Sequence, residues 1–156
     1  MRRTDREVTD SEKIRDVITA CHCCRLGFSD QGQVYIVPLN FGYEEADGRR
    51  IFYFHGAPEG RKIQLIRAGN PVGFELDTDY QLKEAPEACG YSARFRSVIG
   101  TGRVSLLEEP EEKIHALRCI MEHYTGRKDW EFPAVAVEKT AAFRLVVEEL
   151  SCKEHD

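Results

Sequence analysis

Two adjacent cations, Arg61 and Lys62, close the stretch FHGAPEGRK, in which His55, Gly56, Pro58 and Gly60 crowd together. The wider run IFYFHGAPEGRKIQLIRAGN begins with the alternation of a strand and ends with the spacing of a helix. A helix that starts near Gly60 leaves the N–H groups of its first turn free. Those donors and the positive end of the helix dipole attract an anion. Basic side chains in a first turn oppose that dipole unless an anion or an acidic neighbour compensates them, and departures from a local rule of this kind mark binding sites. Two readings follow. Either Arg61 grips a phosphate bidentately, Lys62 adds a point charge and the glycines let the backbone approach, or the two cations pair with Glu59 or Glu75 at a plain helix start. The Gly-Lys-Ser/Thr ending of a nucleoside-triphosphate loop is missing, which speaks against that class of site.

The second cluster of reactive types is ACHCCRLGF, with Cys21, His22, Cys23 and Cys24. Structural zinc sites combine two pairs of ligands, each pair spaced by two to four residues, and no second Cys/His pair at that spacing is apparent here. Neighbouring residues also point to opposite faces of a strand. The cysteines are therefore expected to be small packing residues at the end of a helix, and no metal is expected. The remaining cysteines, at 89, 119 and 152, add up to six in a chain with no likeness to a small secreted scaffold, so reduced thiols are expected.

At 156 residues with 42% hydrophobic content, the chain suits one domain with a substantial core, and residues 1–156 read as that single domain. A net charge of −5 gives no footprint for nucleic-acid binding, and no basic run suggests a membrane surface. There is no run of 18 apolar residues and no apolar segment behind the polar N-terminus, so a cytoplasmic protein is expected.

The elements that must position these residues can be read in order. Thr9, Asp10 and Ser11 are candidate caps for a helix carrying Ile14, Val17, Ile18 and Cys21 on one face. From Cys24 the period becomes two, a turn at Asp30-Gln31-Gly32 follows, and 34–43 reads as one long strand with Pro38 marking a bulge or a sheet edge. Residues 51–55 form a strand, 60–68 a helix stopped by Gly69-Asn70-Pro71, and 72–76 a strand. DTDYQLKEAPEACGYSAR has neither period and is expected to be a surface loop. Residues 95–107 form a strand with a bulge near Gly100 and Gly102, Pro110 opens an amphipathic helix ended by Gly126, and 142–149 is the last strand. Six mostly antiparallel strands with flanking helices predict an α+β fold, a six-stranded antiparallel barrel whose closure removes exposed edges.

Taken together, YIVPLNFGY (35–43), FYFHGAPEGRKIQLI (52–66), RSVIGTGRV (96–104) and HYTGRKDWEFP (123–133) resemble the flavin-binding split barrels related to pyridoxamine 5'-phosphate oxidase, and within them the nitroimidazole-resistance proteins. In order and spacing these motifs span roughly residues 5–150. The resemblance implies a homodimer with FMN at the subunit interface. It implies that Arg61 and Lys62 hold the FMN phosphate, that Phe54, His55 and Gly56 end the strand beside the flavin, and that the backbone of Val37, Pro38, Leu39 and Asn40 faces the isoalloxazine. Ser97 matches a polar residue that hydrogen-bonds the cofactor, Val98 follows it, and Trp130 matches a segment reaching the flavin or substrate pocket of the partner subunit.

The oxidases themselves carry a basic C-terminal segment for their substrate's phosphate, whereas this sequence ends in the acidic VVEELSCKEHD, so pyridoxamine phosphate oxidation is not expected. The resemblance implies instead an oxidoreductase that reduces small organic acceptors, nitroaromatic ones included, with His55 as the candidate proton donor or anion-binding group beside the flavin. A flavin or haem carrier without turnover and a purely structural dimer are the other readings. The sequence has no GxGxxG fingerprint, so a reductant would dock transiently or electrons would arrive from another protein.

Overall fold

The computed structural model describes residues 4–156. Eight strands are present: β1 Glu7–Val8, β2 Cys24–Asp30, β3 Gln33–Leu39, β4 Gly42–Ala46, β5 Arg49–Gly56, β6 Val72–Lys83, β7 Ser92–Leu107 and β8 Ala141–His155. The helices are α1 Ser11–Ala20, α2 Arg61–Ala68, α3 Pro110–Thr125 and the short α4 Ala134–Lys139. All pairings are antiparallel, in the order β3-β2-β6-β7-β8-β5-β4, with β1 added along β8.

That order explains the barrel. β3 and β4 stand at opposite ends of the hydrogen-bonded path, yet only Asn40 and Phe41 connect them. The three Cα–Cα steps from Leu39 to Gly42 reach at most about 11 Å, so the sheet must curl until its two ends approach, and the gap between β3 and β4 is the split in the barrel. Pro38 lies on edge strand β3, where its missing N–H costs no ladder bond.

Phe41, Phe52, Phe54 and Phe143 fill the interior, all fully buried. The ring centres of Phe54 and Phe143 lie 5.4 Å apart and those of Phe52 and Phe74 5.2 Å apart, within the range of favourable aromatic pairs. Helix α1 docks on this core through Ile14, Val17 and Ile18, and of its three candidate caps Asp10 is the one used, accepting from the Lys13 N–H at 2.9 Å. Cys21 and Cys24 are buried as apolar packing at the end of α1 and the start of β2, and all six thiols are free. Burial pushes the Cys21 thiol up to about 12. A second apolar layer, Ile51, Tyr53, Leu107, Ala116, Ile120 and Ala142, lies outside the barrel under α3.

Three expectations change in detail. The run 34–43 is two strands rather than one, because the chain crosses the split at Asn40-Phe41; this and β1 raise the count from six to eight. The segment expected to be a surface loop is largely a hairpin, with Gln81, Leu82 and Lys83 opposite Arg94, Ala93 and Ser92 beyond a bulge. Its side chains are solvated on both faces, as at Tyr80, so backbone pairing left no alternation to read. The last strand continues to His155, and α4, a helix of less than two turns, carries too few residues to show a period.

Candidate functional site

Strand β5 runs out of the core at Phe54 and reaches the surface at His55 and Gly56, opposite Ala142 and Ala141 of β8. Small residues on both strands leave the junction open. The chain then turns through Ala57–Glu59 into α2, whose N-cap is Gly60 at φ 115°, a conformation that favours glycine. No side chain caps this helix start. Its first turn contains no acidic residue, and its first two side chains are the cations Arg61 and Lys62.

The two cations behave differently. Arg61 turns toward the β2–β3 hairpin, where its Nη2 and Nε donate to Asp30 Oδ2 at 2.8 and 3.0 Å and its guanidinium carbon lies 4.5 Å from the centre of the Tyr35 ring. The acidic neighbour is thus Asp30 rather than Glu59 or Glu75; Glu75 is bonded by Arg25. A guanidinium has five N–H donors. With two of them on Asp30, the Arg61 fork is oriented and still has donors for an anion.

Lys62 folds the other way, over Gly56, with its Nζ 5.5 Å from the Phe143 ring centre. Among the described residues no carboxylate lies within ion-pair distance of this half-buried ammonium. Burial holds its pKa below the usual lysine value. His55 is also lowered, first by burial and then by the Lys62 ammonium. The junction therefore holds one cation paired with Asp30 and one, Lys62, with no carboxylate partner among the described residues.

The imidazole supplies a test of this local field. Because the charged form is disfavoured in the folded protein, His55 titrates below its ordinary 6.5. Its contribution to stability is complete above that unfolded value and is lost as pH falls through the lower folded one. Titration of the His55 ring protons by NMR should show the depressed value, and Lys62→Ala should restore only part of it, because burial is the larger cause. An identical titration in Lys62→Ala would remove the ammonium from this site.

The other sequence-predicted residues surround the junction to different degrees. Tyr35 and Asp30 bring the β2–β3 hairpin to Arg61, so edge strand β3 with Val37, Pro38 and Leu39 runs from there to the split, where Asn40 stands exposed. Beyond β2, no described strand pairs with β3, and its outer edge keeps free backbone groups. Phe54 and Val98 are fully buried, so only their backbone can meet a ligand. Ser97 lies on β7 between Asp77 and Lys153, on the outward face opposite to Val98. Trp130 stays with its own loop: its Nε1 donates to Thr125 Oγ1 at 3.1 Å, its carbonyl accepts from Arg118 at 3.0 Å, and Arg127 covers its ring at 4.2 Å.

The HYTG motif proves architectural. His123 Nε2 bonds the Cys21 carbonyl at 2.7 Å, and its ring packs 4.2 Å from that of Phe41. The Tyr124 hydroxyl donates to the His22 carbonyl at 2.8 Å and accepts from the Phe41 N–H at 3.1 Å. Helix α3 thereby fastens the end of α1 to the strand crossing the split.

A group missed in the sequence lies under α3. Glu44 Oε1 is 2.9 Å from His115 Nε2, and Cys119 Sγ is 3.6 Å from the same nitrogen. His115 and Cys119 are a Cys/His pair four residues apart, contrary to the expectation that no second such pair existed. Their spacing was the available signal; Glu44 shows its part only in three dimensions.

An antiparallel barrel split between its end strands, with helices on its flanks, defines the split-barrel class. The sequence matches the pyridoxamine 5'-phosphate oxidase family over residues 10–154, and the chain belongs to that family. Flavin binding is a property of the family. Among solved structures, a candidate 5-nitroimidazole antibiotic resistance protein from Bacteroides thetaiotaomicron is 32% identical, with 95% of this chain and 86% of that one covered at a TM-score of 0.81. A flavocytochrome from Azotobacter vinelandii is 23% identical over 100% of this chain and 72% of that one, with a TM-score of 0.81. An FAD- and haem-binding protein from Mycobacterium smegmatis is 15% identical over 97% and 74%, with a TM-score of 0.83. The last two show the shared fold. The search of curated proteins finds no match. No helix among the described residues is long and apolar enough to cross a membrane.

Proposed function

We propose that this protein is an FMN-dependent oxidoreductase that reduces a small organic acceptor, with nitroaromatic compounds as the first class to test. The observation that carries the reading is Lys62, a half-buried ammonium with no carboxylate partner among the described residues, beside His55 at an uncapped helix start. The donor set fits a phosphate monoester: Arg61 is held in place by Asp30, Lys62 supplies a point charge, and the first-turn N–H groups of α2 complete the cradle. The free edge of β3 from Val37 to Asn40 offers backbone groups to the rim of a flat ring. FMN bound there supplies the hydride and electron chemistry. In this reading His55, with no hydrogen-bond partner among the described residues, holds an anionic substrate or passes it a proton.

The same reading includes a homodimer. On the outward face of the sheet, Val34 is 74%, Ile36 63% and Ile99 55% exposed, flanking the paired glycines Gly27 and Gly73. Apolar residues exposed to this degree, on a face they share with the Arg25–Glu75 and Arg25–Asp77 ion pairs, suit a second copy of the chain. Light scattering should give twice the mass of one chain, and Ile36→Lys should lower it to one.

The visible spectrum tests the cofactor. A yellow protein that releases FMN on denaturation supports the reading, and a colourless one that fails to take up FMN sinks it. Anaerobic reduction by a nicotinamide nucleotide followed by reoxidation with nitroaromatic acceptors tests turnover, and inertness toward every acceptor would leave a flavin carrier. Gly56→Ala makes a finer check. Its β carbon would stand 2.7 Å from Lys62 Nζ, the mobile end of a long side chain. Stability should stay within about 0.5 kcal/mol, while displacement of the ammonium should weaken FMN binding roughly tenfold. Unchanged affinity would show that Lys62 does not touch the cofactor.

A further inference from the structure

The cluster beneath α3 lies outside the flavin cradle. β4 presents Gly42 and Glu44 on one face, toward the helix. A β carbon on Gly42 would lie 2.5 Å from the backbone of Cys119 and Ile120, so the missing side chain lets α3 rest directly on the strand. This approach brings Glu44, two residues along, against His115 and Cys119, which lie one helical turn apart.

The three reactive atoms all lie within 4.8 Å of one another. A catalytic triad would place nucleophile and acid on different nitrogens of the imidazole. Here both Glu44 Oε1 and Cys119 Sγ approach His115 Nε2, at 2.9 and 3.6 Å, so the group is not arranged as a relay. With Zn–N near 2.0–2.1 Å and Zn–S near 2.3 Å, tetrahedral ligands stand about 3.5 Å apart across the N···S edge, matching the observed spacing. The Glu44 oxygen needs to move only a few tenths of an ångström to complete the O···N edge.

Carboxylates gather around the group: Glu44 belongs to it, and Glu111 and Glu112 line the adjoining cleft together with Arg144. The Tyr53 hydroxyl donates to Glu44 Oε1 at 2.5 Å and orients it, as outer partners of metal ligands do. A cleft of about 240 Å³ lined by Tyr53, Leu107, Glu111, Glu112, His115 and Arg144 reaches the exposed His115 ring. Three protein ligands leave the fourth position of a tetrahedral zinc to water.

We propose that Glu44, His115 and Cys119 form a zinc site with one open coordination position. Binding releases the Cys119 proton, so affinity rises with pH. The inference is independent of the flavin reading.

The test is a titration of reduced, chelator-treated full-length protein with Co2+, followed by displacement with Zn2+ and elemental analysis of the washed protein. One equivalent of metal should bind with a thiolate-to-cobalt absorption band. Cys119→Ser should abolish the band, and His115→Ala and Glu44→Gln should each weaken binding by roughly a hundredfold. The Zn2+-dependent rise in melting temperature should vanish in the same variants. Should Cys119→Ser not fold, the other two carry the test through stoichiometry and melting. Absence of a bound equivalent, unchanged affinity in the His115 and Glu44 variants, or a band that survives Cys119→Ser would overturn the site.

Discussion

Replacing Arg61 and Lys62 together by alanine should raise the dissociation constant for FMN by at least a hundredfold while leaving the protein folded. Each hydrogen bond to a charged group contributes about 1.5–3 kcal/mol, and each 1.4 kcal/mol is about tenfold in affinity. The single variants should differ in a way the geometry dictates. Lys62 has no ion-pair partner among the described residues to abandon, so Lys62→Ala should lose FMN affinity with unchanged or slightly raised stability. Arg61→Ala also strands Asp30 and uncovers Tyr35, so it should lose a little stability as well. Fluorescence titration with FMN and thermal melting of the three variants measure both quantities. Equal affinity in wild type and the double variant would remove the phosphate from this junction.

Gly42→Ala should be strongly destabilising. Its β carbon would stand 2.5 Å from the carbonyl carbon of Cys119 and from the Ile120 nitrogen, backbone atoms of a helix that cannot turn aside. Gly56 offers the contrast, since the atom in the way there is the free end of Lys62. Overpacking a well-packed site costs about 1–3 kcal/mol and more where backbone must shift, so about 3 kcal/mol or more is expected. For a chain of this size that lowers Tm by roughly 10 °C. The cost falls on the layer in which Ala116 and Ile120 meet Ile51 and Tyr53. It also separates Glu44 from His115. A Tm within about 2 °C of wild type would mean that α3 does not rest on β4 as described.

The elements were legible wherever their own residues carried the signal. The apolar face of α1, the glycine that ends α2, the proline that opens α3 and the edge role of Pro38 each follow from side chains within a turn or two of one another. Among the features that escaped, the hairpin extension of β6 and β7 and the short helix α4 have few buried side chains, so no period marks them. The cradle was half legible. Local charge against a helix dipole singled out Arg61 and Lys62, but it gave them the same environment, whereas one is paired and the other is not.

By itself, the sequence determined the junction: a strand ending in His55 and Gly56, a glycine at a helix start, and two cations where the dipole disfavours them. It also determined the family, through four motifs kept in order. The tertiary structure alone decided the partners. Asp30 reaches Arg61 because β2 and β3 form a hairpin beside α2, and Glu44 meets His115 and Cys119 because Gly42 lets α3 lie flat on β4. Strand register and helix docking set such contacts, and they join residues 31 and 71 positions apart that share no local period.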